Sequence, residues 1–528
     1  MSRAGPYTQD LYQHLPERLR FAGGVLVAAA VVLVLLQAPL SRLVTAAIDD
    51  LRRPSIAPAT RDTFGLSWLV LLTGLALALR LAFVGQPIRY DEALTFNEFA
   101  SRPLYYGLSF YPDPNNHLLN TFLVHLCTAA LGSEPWVIRL PALVAGVLLV
   151  PASWMLGRLL YDACTGLLSA ALVAGSSYLV EYSTNGRGYT LQALAFVVAF
   201  GLAVWAAQQS SRTALLLSAL ITALGFWAVP TMLYGLVLIG AWLGSEVHAR
   251  RTALRWSDLL AGGAVVGLLS FLLYLPVVLV SGPERLVGNR FVEPLAAAEL
   301  ARELPASLGR TWAFWNRDLP ILGSAVLVLG VVVDTARAVR CRRVPLAVLA
   351  AGVCLALVLV QRVAPFERVW LFLLPLYLLL GSGGLMWLLA RCPTATARWT
   401  RGVAVTVIGL ALGGLVLTSG SILASSETGT FPDAQRVANA LRGRLGPEDV
   451  VVTLLPTSLP ELQYAFRRVG LPAETLVRSP EAARRLFVVT PPGGDPGYPA
   501  EWSPPVVEQQ FPGSTLYRLD RRPAAAMN

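Results

Sequence analysis

About a dozen long apolar runs divide this chain of 528 residues, and no other feature constrains its fold as strongly. Each run is close to the ~20 residues that an α-helix needs to cross ~30 Å of hydrocarbon. Hydrophobic residues make up 55% of the sequence and charged residues 14%, whereas a soluble domain carries about 25% charge. This composition excludes a soluble globular enzyme and a disordered chain. It predicts a polytopic α-helical membrane protein.

The runs predict membrane spans along most of the chain and one shorter helix. We expect the shorter helix, at 117–131, to lie in the membrane interface because it carries His117, Asn120 and His125 among apolar residues. The predicted spans are 21–39, 66–84, 136–157, 166–182, 189–207, 213–227, 230–245, 258–281, 320–336, 345–361, 369–389 and 402–422.

Short arginine clusters between the spans predict the orientation of the chain. Cytoplasmic loops carry an excess of Arg and Lys, so we place the loops with Arg250, Arg337 and Arg391 in the cytoplasm. Alternation then places 85–135, 183–188, 282–319, 362–368 and everything after 422 outside. The same rule accounts for the net charge of +10, so we expect no nucleic-acid partner.

The composition also predicts where the protein resides. The chain has no lysine and is rich in Ala, Leu, Val and Gly, which is typical of GC-rich bacterial coding. We therefore expect a multi-pass protein of the bacterial cytoplasmic (inner) membrane that works in the cell envelope.

Three segments follow from these patterns. Residues 1–65 form an N-terminal segment with an anchor helix and a linker, and 66–423 form the transmembrane module with its external loop 85–135. Residues 424–528 are polar and rich in Pro and Gly, which predicts a small extracytoplasmic α/β domain. In that domain we expect a helix from Thr430 to Gly446 and strands at 450–455, 486–489 and 515–519.

The densest polar cluster opens the first external loop, where Tyr90, Asp91 and Glu92 follow a span directly. Carboxylates at a membrane surface are costly to place, and one of them could take a proton from a hydroxyl acceptor. A solvated loop with ordinary charges is the alternative.

The other polar clusters lie on loops that are predicted to share the same side. Asn115, Asn116 and His117 precede the interfacial helix, where the two amides could instead be helix caps. Arg187, between two glycines, is free to reach a phosphate. Glu367 and Arg368 open a late span and could also be interfacial anchors.

The order of these motifs resembles that of GT-C superfamily glycosyltransferases. The motifs are the Asp-Glu pair after an early span, Asn-Asn-His before a juxtamembrane helix, Arg139-Leu140-Pro141, and Arg-Gly-Tyr at 187–189. They are similar to those of protein O-mannosyltransferase-like (glycosyltransferase family 39-like) and aminoarabinose-transferase-like enzymes over about residues 66–390. The resemblance implies the GT-C fold and transfer of a sugar from a polyprenyl-phosphate donor to a hydroxyl acceptor on the outer face of the membrane.

The resemblance also implies roles for single residues. Asp91 would be the catalytic base with Glu92 as its partner, and a divalent metal, if one takes part, would bind these two carboxylates. Arg187 and Arg368 would hold the donor phosphate, together with His117. The remaining candidate substrate-binding residues are Tyr90, Asn115, Asn116, Tyr189 and Glu367.

The acceptor and the class of protein stay open at this point. A lipid, a polysaccharide or a protein hydroxyl could serve as acceptor, and membrane lipids surround the site. A lipid-linked-sugar transporter (flippase) or a cell-envelope assembly protein is the alternative, although charged residues gather at the ends of spans rather than at their midplane.

Overall fold

The computed structural model describes residues 5–52, 63–288, 293–391, 398–497 and 501–522, and most of them are helical. A π-helical turn lies at Phe96–Ala100, and 3-10 turns lie at Glu367–Leu373, Ala473–Leu476 and Pro480–Ala482. The α-helices, in chain order, are α1 (Gly5–Leu35), α2 (Gln37–Arg52), α3 (Thr63–Phe83), α4 (Tyr90–Thr95), α5 (Leu104–Ser109), α6 (Leu118–Leu131), α7 (Pro135–Leu160), α8 (Ala163–Ala174), α9 (Ser177–Ser183), α10 (Tyr189–Gln209), α11 (Arg212–Ala228), α12 (Met232–His248), α13 (Trp256–Val280), α14 (Glu284–Val287), α15 (Ala297–Trp315), α16 (Ile321–Arg340), α17 (Leu346–Gln361), α18 (Leu374–Leu389), α19 (Arg398–Ser419), α20 (Ser421–Ala424), α21 (Ala434–Leu441) and α22 (Leu459–Val469).

Eight helices in the described part of the chain are long and apolar enough to cross a membrane. They are α1 from His14 onward, α3, α7, α10, α13, α16, α18 with the 3-10 turn before it, and α19. The helices α11, α12 and α17 are equally apolar but shorter, with 17, 17 and 16 residues. The chain is a polytopic α-helical membrane protein, as the apolar runs predict.

The chain divides into two compact units. The first unit contains Met1–Val84, Leu108–Leu123 and Arg139–Leu423, and the second contains Gly85–Gly107, Val124–Ile138 and Ala424–Asn528. All the described spans lie in the first unit, apart from the first residues of α7.

Hydrogen bonds at both ends of α12 and α17 show the relative direction of these two helices. The Arg251 guanidinium donates to the Arg342 carbonyl at one end of α12 and α17. The Tyr234 hydroxyl donates to the Gln361 side chain, 2.7 Å away, at their other end. These two helices are therefore antiparallel. We call the first of these ends the Arg-rich end, because it carries Arg250, Arg251 and Arg342.

The N-terminal helix differs from its predicted bounds. We expected a span at 21–39, but α1 begins at Gly5, ends at Leu35 and is followed at once by α2. The Arg18 guanidinium donates to the Val280 carbonyl at 2.5 Å. Since Val280 ends α13, which starts at the Arg-rich end, the first half of α1 lies at the opposite end of the bundle.

The predicted span 166–182 is not one straight helix. It is broken between α8 and α9, which are inclined by 63° to each other. A Cβ atom on Gly175 would lie 2.6 Å from the Leu412 Cβ atom, so α19 approaches the chain too closely there for a larger residue. Ser176 has the extended backbone of a helix N-cap, with φ −76° and ψ 115°. The break therefore depends on tertiary packing that an apolar sequence pattern does not reveal.

The second unit contains a four-stranded sheet. Its strands are β1 (Val450–Thr453), β2 (Arg485–Thr490), β3 (Val506–Phe511) and β4 (Ser514–Asp520), in the order β1-β2-β4-β3. The β1–β2 pair is parallel, and the other two pairs are antiparallel. Phe487 of β2 packs with Val437 of α21 and Leu462 and Phe466 of α22, which form one core.

Three of these elements depart from the prediction. The helix expected to reach Gly446 ends at Leu441, because Gly443 already takes a left-handed φ of 74°. The helix α22 and the strand β3 were not predicted. The strand is a largely exposed edge strand without an alternating apolar pattern, which is the weakest sequence signal a strand can have.

Glycines allow α16 and α18 to pack closely. A Cβ atom on Gly384 would lie 1.8 Å from the Gly330 carbonyl oxygen, and one on Gly330 would lie 2.2 Å from the Gly381 carbonyl oxygen. Small residues at helix contacts are typical of membrane proteins, where dispersion contacts rather than water exclusion hold helices together.

We expect Gly384→Ala to destabilise the protein by about 1–3 kcal/mol, because the added methyl group forces α16 and α18 apart. Gly352→Ala on α17 is the control, since no atom lies within 4 Å of the added Cβ. Thermal unfolding of the detergent-solubilised protein measures both. Equal melting temperatures for the two variants would contradict the packing described here.

Candidate functional site

The acidic turn, defined as residues 89–92, lies in the second unit and is held by the C-terminal segment. The backbone N–H groups of Tyr90 and Asp91 donate to the carbonyls of Gly429 and Thr428, at 3.4 and 3.3 Å. Arg89 forms an antiparallel bridge with Thr430. The buried Arg89 guanidinium also donates to the Ser425 carbonyl at 2.9 Å. The start of the C-terminal domain thus fixes the backbone that carries the two predicted carboxylates.

The two carboxylates of this turn have different environments. Glu92 is fully buried, and its Oε1 accepts a hydrogen bond of 2.8 Å from the Arg89 backbone N–H. This contact belongs to a capping box that starts α4. Asp91 is only half-buried. Of the two, Asp91 is therefore the more exposed side chain.

A third acidic residue, Glu461, lies near this turn and was not predicted. It is fully buried in the first turn of α22, and neither side-chain oxygen has a hydrogen-bond partner. Burial raises the pKa of its carboxyl to about 8, opposed by its own backbone N–H and assisted by the nearby Glu92 and Asp91. In the sequence, Glu461 follows Ser458 by three residues, which is the ordinary spacing of a helix-capping glutamate. The sequence therefore does not indicate that its side chain is buried.

The acidic residues do not provide a metal site. Within the described ranges, no three His, Cys, Asp or Glu residues are arranged to hold a metal ion. A divalent metal usually takes several oxygen ligands, and the capping hydrogen bond already engages Glu92. Asp91 and Glu92 therefore do not fit the divalent metal that the resemblance allows at these two carboxylates.

The second group of predicted residues lies in the first unit, and we call it the basic cluster: His117, Arg187, Tyr189 and Arg368. The Arg368 Nε donates to the Tyr189 hydroxyl at 3.2 Å. The His117 and Tyr189 rings meet edge to face, with centroids 4.8 Å apart. Arg187 lies 3.5 Å from the His117 Nε2. The structure thus brings together four residues that are separated by up to 251 positions in the chain.

The turn between α9 and α10 positions Arg187. The Asn120 side-chain amide donates to the Gly186 carbonyl at 2.9 Å. The Gly188 N–H donates to the His117 Nδ1 at 2.8 Å. A Cβ atom on Gly188 would lie 2.9 Å from both the His117 ring and the Ala228 carbonyl, so only glycine allows this approach.

The hydrogen bond from Gly188 decides which His117 nitrogen carries the proton. Because Nδ1 accepts a hydrogen bond, neutral His117 carries its proton on Nε2. That N–H faces the Arg187 Nη2, which is also a donor, across 3.5 Å. Two donors that face one another are suited to share one acceptor, and a phosphate oxygen is such an acceptor.

Burial and positive neighbours keep His117 uncharged. Burial lowers the pKa of its imidazole well below the usual 6.5, and Arg187 and then Arg368 lower it further. The positive charge of the basic cluster therefore comes from its guanidinium groups, while His117 contributes a neutral N–H.

The remaining predicted residues have contacts within the first unit. The Asn115 carbonyl accepts a hydrogen bond from the Arg187 Nη1 at 2.9 Å. The Asn116 amide donates to the Phe110 carbonyl, which orders the loop. Glu367 pairs with Arg310 of α15. Asn115 therefore contacts the basic cluster directly, while Asn116 and Glu367 support its surroundings.

Tyr111 is a neighbour of the basic cluster that the sequence did not single out. It is buried, and burial raises the pKa of its hydroxyl. Asp113 and Tyr189 raise this pKa further, whereas Arg187 lowers it. The sequence signal was its place in the polar segment before His117, next to Pro112.

The structure brings some of the candidate site residues together. His117, Arg187, Tyr189 and Arg368 contact one another within the first unit. Asp91 and Glu92 belong to the other unit, so the single pocket expected for the acids and the guanidiniums stays a prediction.

A protein-family model matches one part of the chain. A family model described as dolichyl-phosphate-mannose-protein mannosyltransferase matches residues 116–277, which include His117, Arg187 and Tyr189. No curated protein sequence matches the chain significantly.

Solved structures share the fold at low sequence identity. ArnT from Cupriavidus metallidurans in the apo state is 13% identical with a TM-score of 0.56, covering 86% of this chain and 98% of ArnT. The same enzyme bound to undecaprenyl phosphate is 14% identical with a TM-score of 0.55 and the same coverage. Archaeal oligosaccharyltransferase AglB from Archaeoglobus fulgidus, in complex with an inhibitory peptide and a dolichol-phosphate, is 12% identical with a TM-score of 0.50, covering 82% of this chain and 70% of AglB.

These similarities establish the fold. The chain has the GT-C fold of membrane glycosyltransferases, with a small C-terminal α/β domain. The fold class predicted from the order of the motifs is confirmed.

We expect His117 to remain neutral and protonated on Nε2 down to a pH below 6.5, because its pKa is lowered. Nitrogen NMR of histidine-labelled protein measures this directly, since the chain has only 4 histidines. His117→Gln assigns the signal, because the variant lacks it. Titration of His117 at or above 6.5 would contradict a ring that is buried beside two guanidiniums.

Proposed function

We propose that this membrane protein of the GT-C fold is a glycosyltransferase that moves a sugar from a polyprenyl-phosphate donor to a hydroxyl acceptor. The observation that carries the proposal is the basic cluster, in which the His117 Nε2–H and Arg187 face each other at 3.5 Å. Such an arrangement suits the phosphate of a lipid carrier, whose chain stays in the bilayer.

The fold supports this choice of donor. ArnT and AglB have the same fold, and their structures contain undecaprenyl phosphate and a dolichol-phosphate. The family model that matches His117, Arg187 and Tyr189 of the basic cluster is also described by a dolichyl-phosphate sugar donor. A polyprenyl phosphate is therefore the leaving group that the proposal assigns to this chain.

The chemistry requires positive charge where the phosphate departs and a base on the acceptor. When the bond between the sugar and the phosphate breaks, negative charge grows on the phosphate, and Arg187 and Arg368 stabilise it as preorganised donors. Asp91 takes the proton from the attacking hydroxyl. We assign the base to Asp91 rather than Glu92 because Glu92 is buried and caps α4.

The proposed orientation follows from the charge of the loops. Arg250, Arg251 and Arg342 lie at the Arg-rich end, which we assign to the cytoplasm. The turn between α9 and α10, which carries Arg187, lies at the end of the bundle opposite to the Arg-rich end. With the Arg-rich end in the cytoplasm, this turn faces the periplasm. In a bacterial inner membrane this places sugar transfer on the extracytoplasmic side, where a lipid, a polysaccharide or a protein of the cell envelope supplies the acceptor hydroxyl.

We expect Asp91→Asn to lower transfer by at least about 100-fold, because the amide cannot accept the hydroxyl proton. Glu98→Gln, a change of another half-buried acid in the second unit, is the control and should retain activity. The assay measures transfer of labelled sugar from polyprenyl phosphate in proteoliposomes. Full activity of folded Asp91→Asn contradicts the role of Asp91, and movement of the lipid-linked sugar without product favours a transporter.

We expect Arg368→Gln to lower kcat/KM for the lipid-linked donor by about 10- to 100-fold, because the variant loses one positive charge that would stabilise the phosphate. Arg302→Gln is the matched control, because Arg302 is exposed on α15 and its Nε donates to the Ala298 carbonyl of the same helix. The same proteoliposome assay, with donor concentration varied, separates the two. Equal values for both variants would exclude Arg368 from donor binding.

A further inference from the structure

The helix α22 of the C-terminal domain packs against the segment that follows the acidic turn. The Asn97 amide donates to the Pro460 carbonyl at 2.8 Å. The rings of Phe96 and Tyr464 meet edge to face, with centroids 5.7 Å apart. Pro460 and Tyr464 flank Glu461, so these two contacts fix the position of its side chain.

The position of Glu461 is unusual for a carboxyl group. It has no exposed surface, and neither oxygen accepts or donates a hydrogen bond. A buried unpaired charge is very costly, so such a group favours its neutral form. Asp91 and Glu92 act on it electrostatically as like charges, which favours the same form.

Charged groups on the neighbouring elements do not compensate Glu461. Arg467, on the same helix, donates to Ser101 and interacts with Glu98 and Glu474. Arg468, also on α22, pairs with Glu134, and Asp433, which caps the neighbouring α21, pairs with Arg436.

We propose that Glu461 is a positioning residue, which as a neutral carboxyl lets α22 pack against the acidic turn and so holds Asp91 for proton transfer. This inference rests on the function proposed above, because it assumes that Asp91 is the base. It gives the C-terminal domain a part in the reaction: when Glu461 ionises, a third negative charge appears beside Asp91 and Glu92 without a partner, and the packing weakens.

The expected pH dependence has a definite direction. The pKa of Glu461 is raised from 4.5 to about 8 in the folded protein, while the unfolded chain ionises near the ordinary value. Between these values the folded state holds more protons, so stability falls as pH rises through the window. Proton transfer should then fail above about pH 8.

The test compares the wild-type protein with Glu461→Gln, which keeps the shape and cannot ionise, and with Glu461→Met as a second neutral variant of similar size. Glu474→Gln, an exposed change on the neighbouring 3-10 turn, is the control. Melting temperature is measured from pH 4.5 to above pH 8, and transfer is measured through pH 8. We expect the wild type and the control to lose thermal stability as pH rises from 4.5 to about 8, and to lose kcat above about pH 8, where Glu461 ionises in the folded protein. The two Glu461 variants should lose neither.

Each outcome decides one of the two proposals. Identical profiles of kcat and melting temperature for the wild type and Glu461→Gln would overturn the role of Glu461. A difference in melting temperature without a difference in the pH profile of kcat would also overturn it, because Glu461 would then act only on stability. If the wild type transfers no sugar at any pH, the proposed function fails. If the wild type is inactive and its melting profile matches that of Glu461→Gln, the inference fails as well. If the wild type is inactive but the two melting profiles differ, Glu461 contributes to packing as a neutral group and has no role in transfer.

Discussion

A lipid bilayer offers no hydrogen-bonding partner to a peptide group, and this constraint shapes the whole first unit. Backbone groups within the membrane are satisfied inside helices, and polar side chains gather where helices end. Arg187, His117 and Arg368 all stand at or beside a helix terminus. The break between α8 and α9 interrupts one span, and Arg80 donates to the Ala174 carbonyl that ends α8.

Within this frame, a few hydrogen bonds give the basic cluster its chemical character. The Gly188 N–H directs the neutral imidazole so that its proton points toward Arg187. Burial beside two guanidiniums keeps the imidazole uncharged. These hydrogen bonds set the orientation of the donors, and preorganised donors stabilise developing negative charge most effectively.

Apolar runs are local signals, so the sequence predicted the polytopic α-helical architecture and the approximate place of most apolar helices. It could not predict that Gly175 breaks a span, since the close approach of Leu412 is a tertiary contact. Nor could it separate the role of Glu92, a helix cap, from that of Asp91, because both are acidic residues in one turn. Glu461 was missed since its burial depends on packing with Phe96 and Asn97, more than 360 positions earlier.

We propose that the basic cluster binds the phosphate of a polyprenyl carrier. A cryo-EM structure of the protein with bound polyprenyl phosphate tests this. We expect phosphate oxygens within hydrogen-bonding distance of the His117 Nε2 and the Arg187 guanidinium, with the isoprenoid chain leading into the bilayer. A phosphate bound elsewhere, with His117 and Arg187 still facing each other across an unchanged gap, would contradict it.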